Sequence, residues 1–168
     1  MKRTLALIAA FAICLTLASC SKEKYSHDTS VTFYYKAVEV QYGSSDGVIV
    51  SEIRNSSEYQ GNYEQLIELY LKGPKEHDHI SPYPAGIYLK EFILGADRAY
   101  VTLSSHISML SGLDLTIACA CLTKTVLGLT GVSSIEITAE NSTLDGQAYL
   151  IYTRKDFVYL DTYADTLS

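Results

Sequence analysis

Residues 113–129 are apolar or small at every position except Asp114 and Lys124. A helical run with so little polar surface belongs inside a core, and its alanines and cysteines permit close contact with a sheet. Gly128 and Gly131 supply its end. Such a helix demands strands to cover, and the segments around it change to a period of two.

Residues 31–42 are rich in β-branched and aromatic side chains, and Val38, Val40 and Tyr42 alternate with Glu39 and Gln41. Turn chemistry at Ser44-Ser45-Asp46-Gly47 and a second apolar run at 48–54 predict a hairpin. Residues 87–94 and 98–103 alternate in the same way, and Gly95-Ala96-Asp97 joins them tightly. Alternation returns at 132–139 through Ile135 and Ile137, followed by a turn at 141–146 and a strand at 149–153. Phe157, Tyr159 and Tyr163 are expected against a sheet edge. A second, shorter helix follows from Tyr63, Leu66, Ile67, Tyr70 and Leu71 at helical spacing, with Asn62 as cap and Gly73-Pro74 as stop. Residues 75–84 read as a polar loop. The order of two strands, helix, two strands, helix, two strands predicts an α+β domain: a mixed or antiparallel sheet with two helices packed on one face, one layer of each.

Ahead of this domain, Lys2 and Arg3 precede an apolar run from 5 to 17 that is too short to cross a bilayer, where about 20 residues are needed. The run ends in Leu17-Ala18-Ser19-Cys20, which resembles the bacterial lipobox, with Cys20 as the site of lipid attachment. The expected organisation is a lipoprotein signal peptide at 1–19, a flexible polar tether at 20–30 and a single domain at 31–168. The expected place is outside the cytoplasm, anchored by lipid to the outer face of the cell membrane. Without Lys2 and Arg3 the chain carries 11 basic against 19 acidic side chains, net −8, which disfavours nucleic acid as a partner. Within the domain stand only Cys119 and Cys121; two apart on a helix they point about 200° from each other, so free buried thiols are expected rather than a disulfide.

Chemistry has few footholds. Glu76-His77-Asp78-His79 brings two imidazoles and two carboxylates together, but in one loop, whereas a catalytic zinc takes three ligands fixed on rigid elements. A solvated loop is expected, with no metal and no cofactor. Ser104-Ser105-His106 lacks the glycine elbow and oxyanion hole of a nucleophilic site, and such close neighbours seldom meet in hydrogen-bond geometry. No enzyme is expected. Fourteen tyrosines without a tryptophan would matter as a surface if those of Phe33-Tyr34-Tyr35 met Tyr149, Tyr152, Tyr159 and Tyr163, which requires the first and last strands to be neighbours.

The run Leu66-Ile67-Glu68-Leu69-Tyr70-Leu71-Lys72-Gly73-Pro74, then Pro84-Ala85-Gly86-Ile87, then Ala99-Tyr100-Val101-Thr102-Leu103-Ser104, resembles the GerMN sporulation and germination domain. The helix ending Thr123-Lys124-Thr125-Val126 and the strand at 132–138 fall where that family has its second helix and next strand, so the resemblance covers residues 31–152. It implies a compact module akin to the ring-building modules of spore-former envelope machines, used for assembly or docking, with no catalytic residues to carry over. This chain has one copy where the namesake has two, and Thr102 where the family tends to be acidic. The expected function is that of a lipid-anchored scaffolding module with an envelope protein as partner, in a sporulation or germination complex, with homo-oligomers allowed for. The alternative is an accessory protein that holds peptidoglycan or another cell-wall glycan. A concave tyrosine-lined groove would favour the glycan; a flat apolar patch or an exposed strand edge would favour assembly.

Overall fold

The structure is a computed structural model that describes residues 30–39, 47–59 and 61–160. The signal segment, Cys20, the tether up to residue 29, Val40, Gln41 and Tyr42 of the first expected strand, the first turn's Ser44, Ser45 and Asp46, and Tyr163 lie outside the described residues, while Ser30, expected in the tether, already belongs to a strand.

Among the described residues, seven strands and two α-helices follow the expected order, with one short strand added: β1 Ser30–Ala37, β2 Ile49–Asn55, α1 Tyr63–Leu71, β3 His79–Ile80, β4 Leu89–Leu94, β5 Arg98–Leu103, α2 Gly112–Thr130, β6 Ser134–Ala139 and β7 Tyr149–Thr153. The strands make two sheets, of order β2-β1-β3 and β4-β5-β6-β7. The larger is mixed: β5 and β6 are parallel, with α2 as their crossover, and the outer pairs are antiparallel. Its inward face carries Ala99, Val101, Leu103, Ile135, Ile137 and Ala139, all buried, and both helices touch its strands.

The single layer of strands expected from the sequence is thus divided. The division has a cause in α2, which is long and apolar enough to cross a membrane yet has eleven of its nineteen residues buried inside the fold. One sheet covers only one side of a helix; α2 touches β5 and β6 of the larger sheet and, more extensively, β1 of the smaller. Thr125 Oγ1 accepts the backbone N–H of Tyr34 at 3.0 Å, so the helix borders an edge of β1. Burying its leucines, isoleucine and valine contributes on the order of 1.5–3 kcal/mol for each full side chain.

Local signals explain the boundaries. Asn62 Oδ1 accepts the N–H of Gln65 at 3.1 Å and starts α1. Gly131, at φ 75°, takes the left-handed conformation that ends α2, and its N–H bonds to the carbonyl of Leu127. In the β4–β5 turn the N–H of Gly95 donates to the carbonyl of Arg98, and a Cβ on Gly95 would lie 2.9 Å from that oxygen. Phe157 folds inward onto Tyr152, ring centroids 4.6 Å apart, instead of lying along an edge.

Candidate docking surface

The sequence pointed to four places where function could sit. In the loop around residue 77, His79 pairs with β1 as part of β3 and its ring is buried, contrary to the solvated loop expected there. Its Nδ1 lies 3.4 Å from Glu52 Oε2 without making a hydrogen bond, and its Nε2 lies 3.6 Å from Asp78. Among the described residues no group of three His, Cys, Asp or Glu side chains is placed to hold a metal ion.

Glu52 and Arg54, which the sequence reading passed over, are what His79 packs beside. Both are buried on the inward face of β2. Arg54 donates through Nε to Glu52 and through Nη2 to the carbonyl of Gly73, and its guanidinium lies over the rings of Phe33 and Tyr35. Burial pushes the Glu52 carboxyl up, but the Arg54 bond and the N–H groups of Lys75 and Glu76 outweigh it and hold the group below its ordinary range. The Glu52 carboxylate and the Arg54 guanidinium are thus engaged inside the fold, while His79 Nδ1 is left without a hydrogen bond. The signal was legible: opposite charges two apart on a strand share one face.

Ser104 and His106 do meet, Oγ to Nδ1 at 3.3 Å, where such a contact was not expected. Ser104 is nevertheless buried, and its Oγ accepts the N–H of Tyr88. That hydroxyl ties the loop after β5 to the start of β4. Nor do the tyrosines of β1 and β7 form one surface, because these strands belong to different sheets. Tyr35, Tyr70 and Tyr83 are core residues, linked by Tyr35 donating to the carbonyl of Tyr70 at 3.1 Å and by a 2.9 Å contact between the Tyr70 and Tyr83 hydroxyls, with Tyr83 donating to the carbonyl of Ala118 at 3.0 Å.

The outward face of the larger sheet remains open. Cross-strand register sets Ile93, Tyr100, Glu136 and Ile151 in one row and Glu91, Thr102, Thr138 and Tyr149 in the next. Ile93 and Tyr149 are each 52% exposed, Tyr100 40% and Ile151 41%, so the face presents large apolar side chains among polar ones. Four of its polar members pair among themselves, Arg98 with Glu136 and Thr138 Oγ1 donating to Thr102 Oγ1 at 2.9 Å, while Glu91 stands exposed. At one rim Glu140 binds Lys90 at 2.8 Å and the Tyr88 hydroxyl at 3.0 Å; these two contacts, Lys90 first, hold its carboxyl below the ordinary range. The face is bounded by β7, which has one strand neighbour among the described residues and carries no charge and no proline. A cleft of about 450 Å³ beside β2 is lined by Glu52, Arg54, Ser57, Glu58 and others, with Tyr59 its one tyrosine. It is not a tyrosine-lined groove.

The sheet order, the parallel β5–β6 pair and the open face can now be set beside known proteins. A solved structure of the tandem GerMN domains of the sporulation protein GerM from Bacillus subtilis superposes with a TM-score of 0.52 at 15% identity, over 68% of this chain and 39% of that one. A Clostridium perfringens crystal structure, assigned as a lipoprotein, aligns with a TM-score of 0.48 at 17% identity, over 76% of this chain and 88% of that one. No curated protein matches the chain by sequence. The model of the Germane family, described as sporulation and spore germination, matches residues 32–145, which span every element from β1 to β6. The chain belongs to the Germane family of sporulation and spore germination domains.

Proposed function

We propose that the chain is a lipid-anchored assembly module of the bacterial cell envelope, outside the cytoplasm, serving a sporulation or germination complex by docking onto another protein. The observation that carries this reading is the exposure of Ile93, Tyr100, Tyr149 and Ile151 on the outward sheet face together with an uncharged strand edge at its border. Apolar area and main-chain hydrogen bonds together are how strand-edge docking gains affinity. Family membership supports the sporulation context. The lipobox-like Leu17-Ala18-Ser19-Cys20 supports the anchor, with 20–30 as tether and 31–168 as the domain. Its test is cross-linking in native membranes, capture of the chain, and mass spectrometry of what comes with it, with Cys20→Ala as control. A reproducible envelope partner that is lost from membranes with Cys20→Ala is the expected result. Recovery of cell-wall fragments without protein, or a Cys20→Ala chain that stays membrane-bound, overturns the docking or the anchor respectively.

A further inference from the structure

The hydrogen-bond pattern of the larger sheet says which groups of β7 are free. Ser134 N–H donates to Asp97 and Glu140 N–H to Leu103, so these residues of the β6 segment turn their peptide groups toward β5. The alternate residues Ile135 and Ile137 therefore turn theirs toward β7, where their partners are Tyr152 and Leu150. Tyr149, Ile151 and Thr153 face away. Thr153 is already served, its N–H donating to Asp156 Oδ2 at 2.6 Å. What remains outward on this edge is the N–H and C=O of Tyr149 and of Ile151.

We propose that β7 pairs antiparallel with β7 of a second copy of this chain, on a two-fold axis at Leu150, joining two four-stranded sheets into one. This names a partner for the docking surface and rests on the assembly reading above. The register is fixed by the free groups: only a centre on Leu150 sets Tyr149 opposite Ile151 of the second copy, so that both outward residues exchange their bonds while Thr153 keeps Asp156. Side chains agree. Tyr149 meets Ile151 of the second copy on the outward face, an aromatic against a β-branched residue, the kind of pair that stabilises antiparallel strands. The symmetry of these outward groups about Leu150 is what selects a copy of the same chain, and charge does not oppose it. Asp145, whose Oδ2 accepts the Gly112 N–H at 3.0 Å, and Lys155, both exposed, stand at equal distances in sequence on the two sides of Leu150, so a two-fold there brings Lys155 of one copy to the same end as Asp145 of the other. An acidic chain, net −6, otherwise repels its own copies.

The test uses the full chain in the membranes of the cell that makes it, carrying Leu150→Cys and treated with copper phenanthroline. Opposed residues at a non-hydrogen-bonded position lie about 4.5 Å apart, within disulfide reach. Cys119 and Cys121 are buried and should give little background. The expected result is a reducible species of twice the mass, absent from Ile93→Cys, which sits exposed on the strand at the other edge of the sheet. No such species from Leu150→Cys, or equal cross-linking of Ile93→Cys, overturns the pairing. A second variant guards against misfolding: Ile151→Pro removes an outward N–H and costs β6 no bond. Sedimentation of the full chain in detergent micelles should show a dimer that Ile151→Pro makes at least tenfold weaker. A monomer without the substitution, or an unchanged dimer with it, overturns the proposal. If the membrane capture above returns a different envelope partner while Leu150→Cys stays single, the self-pairing fails and the assembly reading stands.

Discussion

Thr125 and Tyr34 are 91 residues apart in the chain, yet Thr125 Oγ1 is the acceptor that the Tyr34 N–H finds. Strand β3 pairs with β1 only at Lys36 and Ala37, so from Tyr34 back that flank of β1 has a helix for its neighbour. A side-chain hydroxyl does the work of a strand carbonyl.

Thr125→Val keeps the shape of the buried side chain and deletes the acceptor. The orphaned Tyr34 N–H should cost about 1–3 kcal/mol, measured by urea unfolding, whereas Thr125→Ser should stay close to the parent. Equal stability of the valine and serine variants would show the bond to be idle.

Glu52→Gln should destabilise by about 3–5 kcal/mol at neutral pH, because it leaves the Arg54 guanidinium buried without its counter-charge. The pH dependence has a sign. Glu52 is held below its unfolded value, so its contribution is full above the ordinary glutamate range and is lost as pH falls through the lower folded value. Acid unfolding of the parent should therefore be steeper on the low side of the glutamate range than that of Glu52→Gln. Parallel acid curves would refute the assignment.

Tyr83→Phe removes a hydroxyl that touches Tyr70 and donates to Ala118. The Tyr70 hydroxyl loses its partner, while the Ala118 carbonyl keeps its helical bond, at a cost of about 1–3 kcal/mol. Burial pushes Tyr70 and Tyr83 well above the ordinary tyrosine range. Alkaline titration at 295 nm should accordingly show both ionising only with unfolding.

Cys119 and Cys121 are pushed up to about 12 by burial. Since the thiolate is the reactive form, iodoacetamide at pH 8 should leave both unmodified in the folded chain and label both in denaturant, as read by peptide mapping. Labelling of either in the native state would mean that α2 leaves the core.

Much of this was legible in the sequence, and the failures share a reason. Helix α1 was fixed by the period of Leu66, Ile67, Tyr70 and Leu71 with a cap and a stop around it, and the structure agrees residue for residue. The β4–β5 hairpin was fixed by the chemistry of its turn. What escaped was tertiary. Nothing local in the period of β1 says that its edge will meet Thr125 and that the strands will part into two sheets around α2. His79 looked solvated because its neighbours in sequence are polar, while its neighbours in space are Glu52 and Tyr35. The candidate surface was half visible: an uncharged final strand marks an edge, but the outward rows of Ile93, Tyr100 and Ile151 exist only once register is known.

The parallel pairing of β5 with β6 has a kinetic side. Arg98 pairs with Ser134 and Leu103 with Ala139, each across 36 residues. The β4–β5 hairpin closes locally, but its second edge waits for the whole of α2 to form and pass over before β6 can arrive, and β7 can only follow β6. Loops of that span close late and slow the search for the native state. Until they close, the underside of β5, with Ala99, Val101 and Leu103, lies uncovered, and the growing chain passes through a stage when this hairpin is at its stickiest.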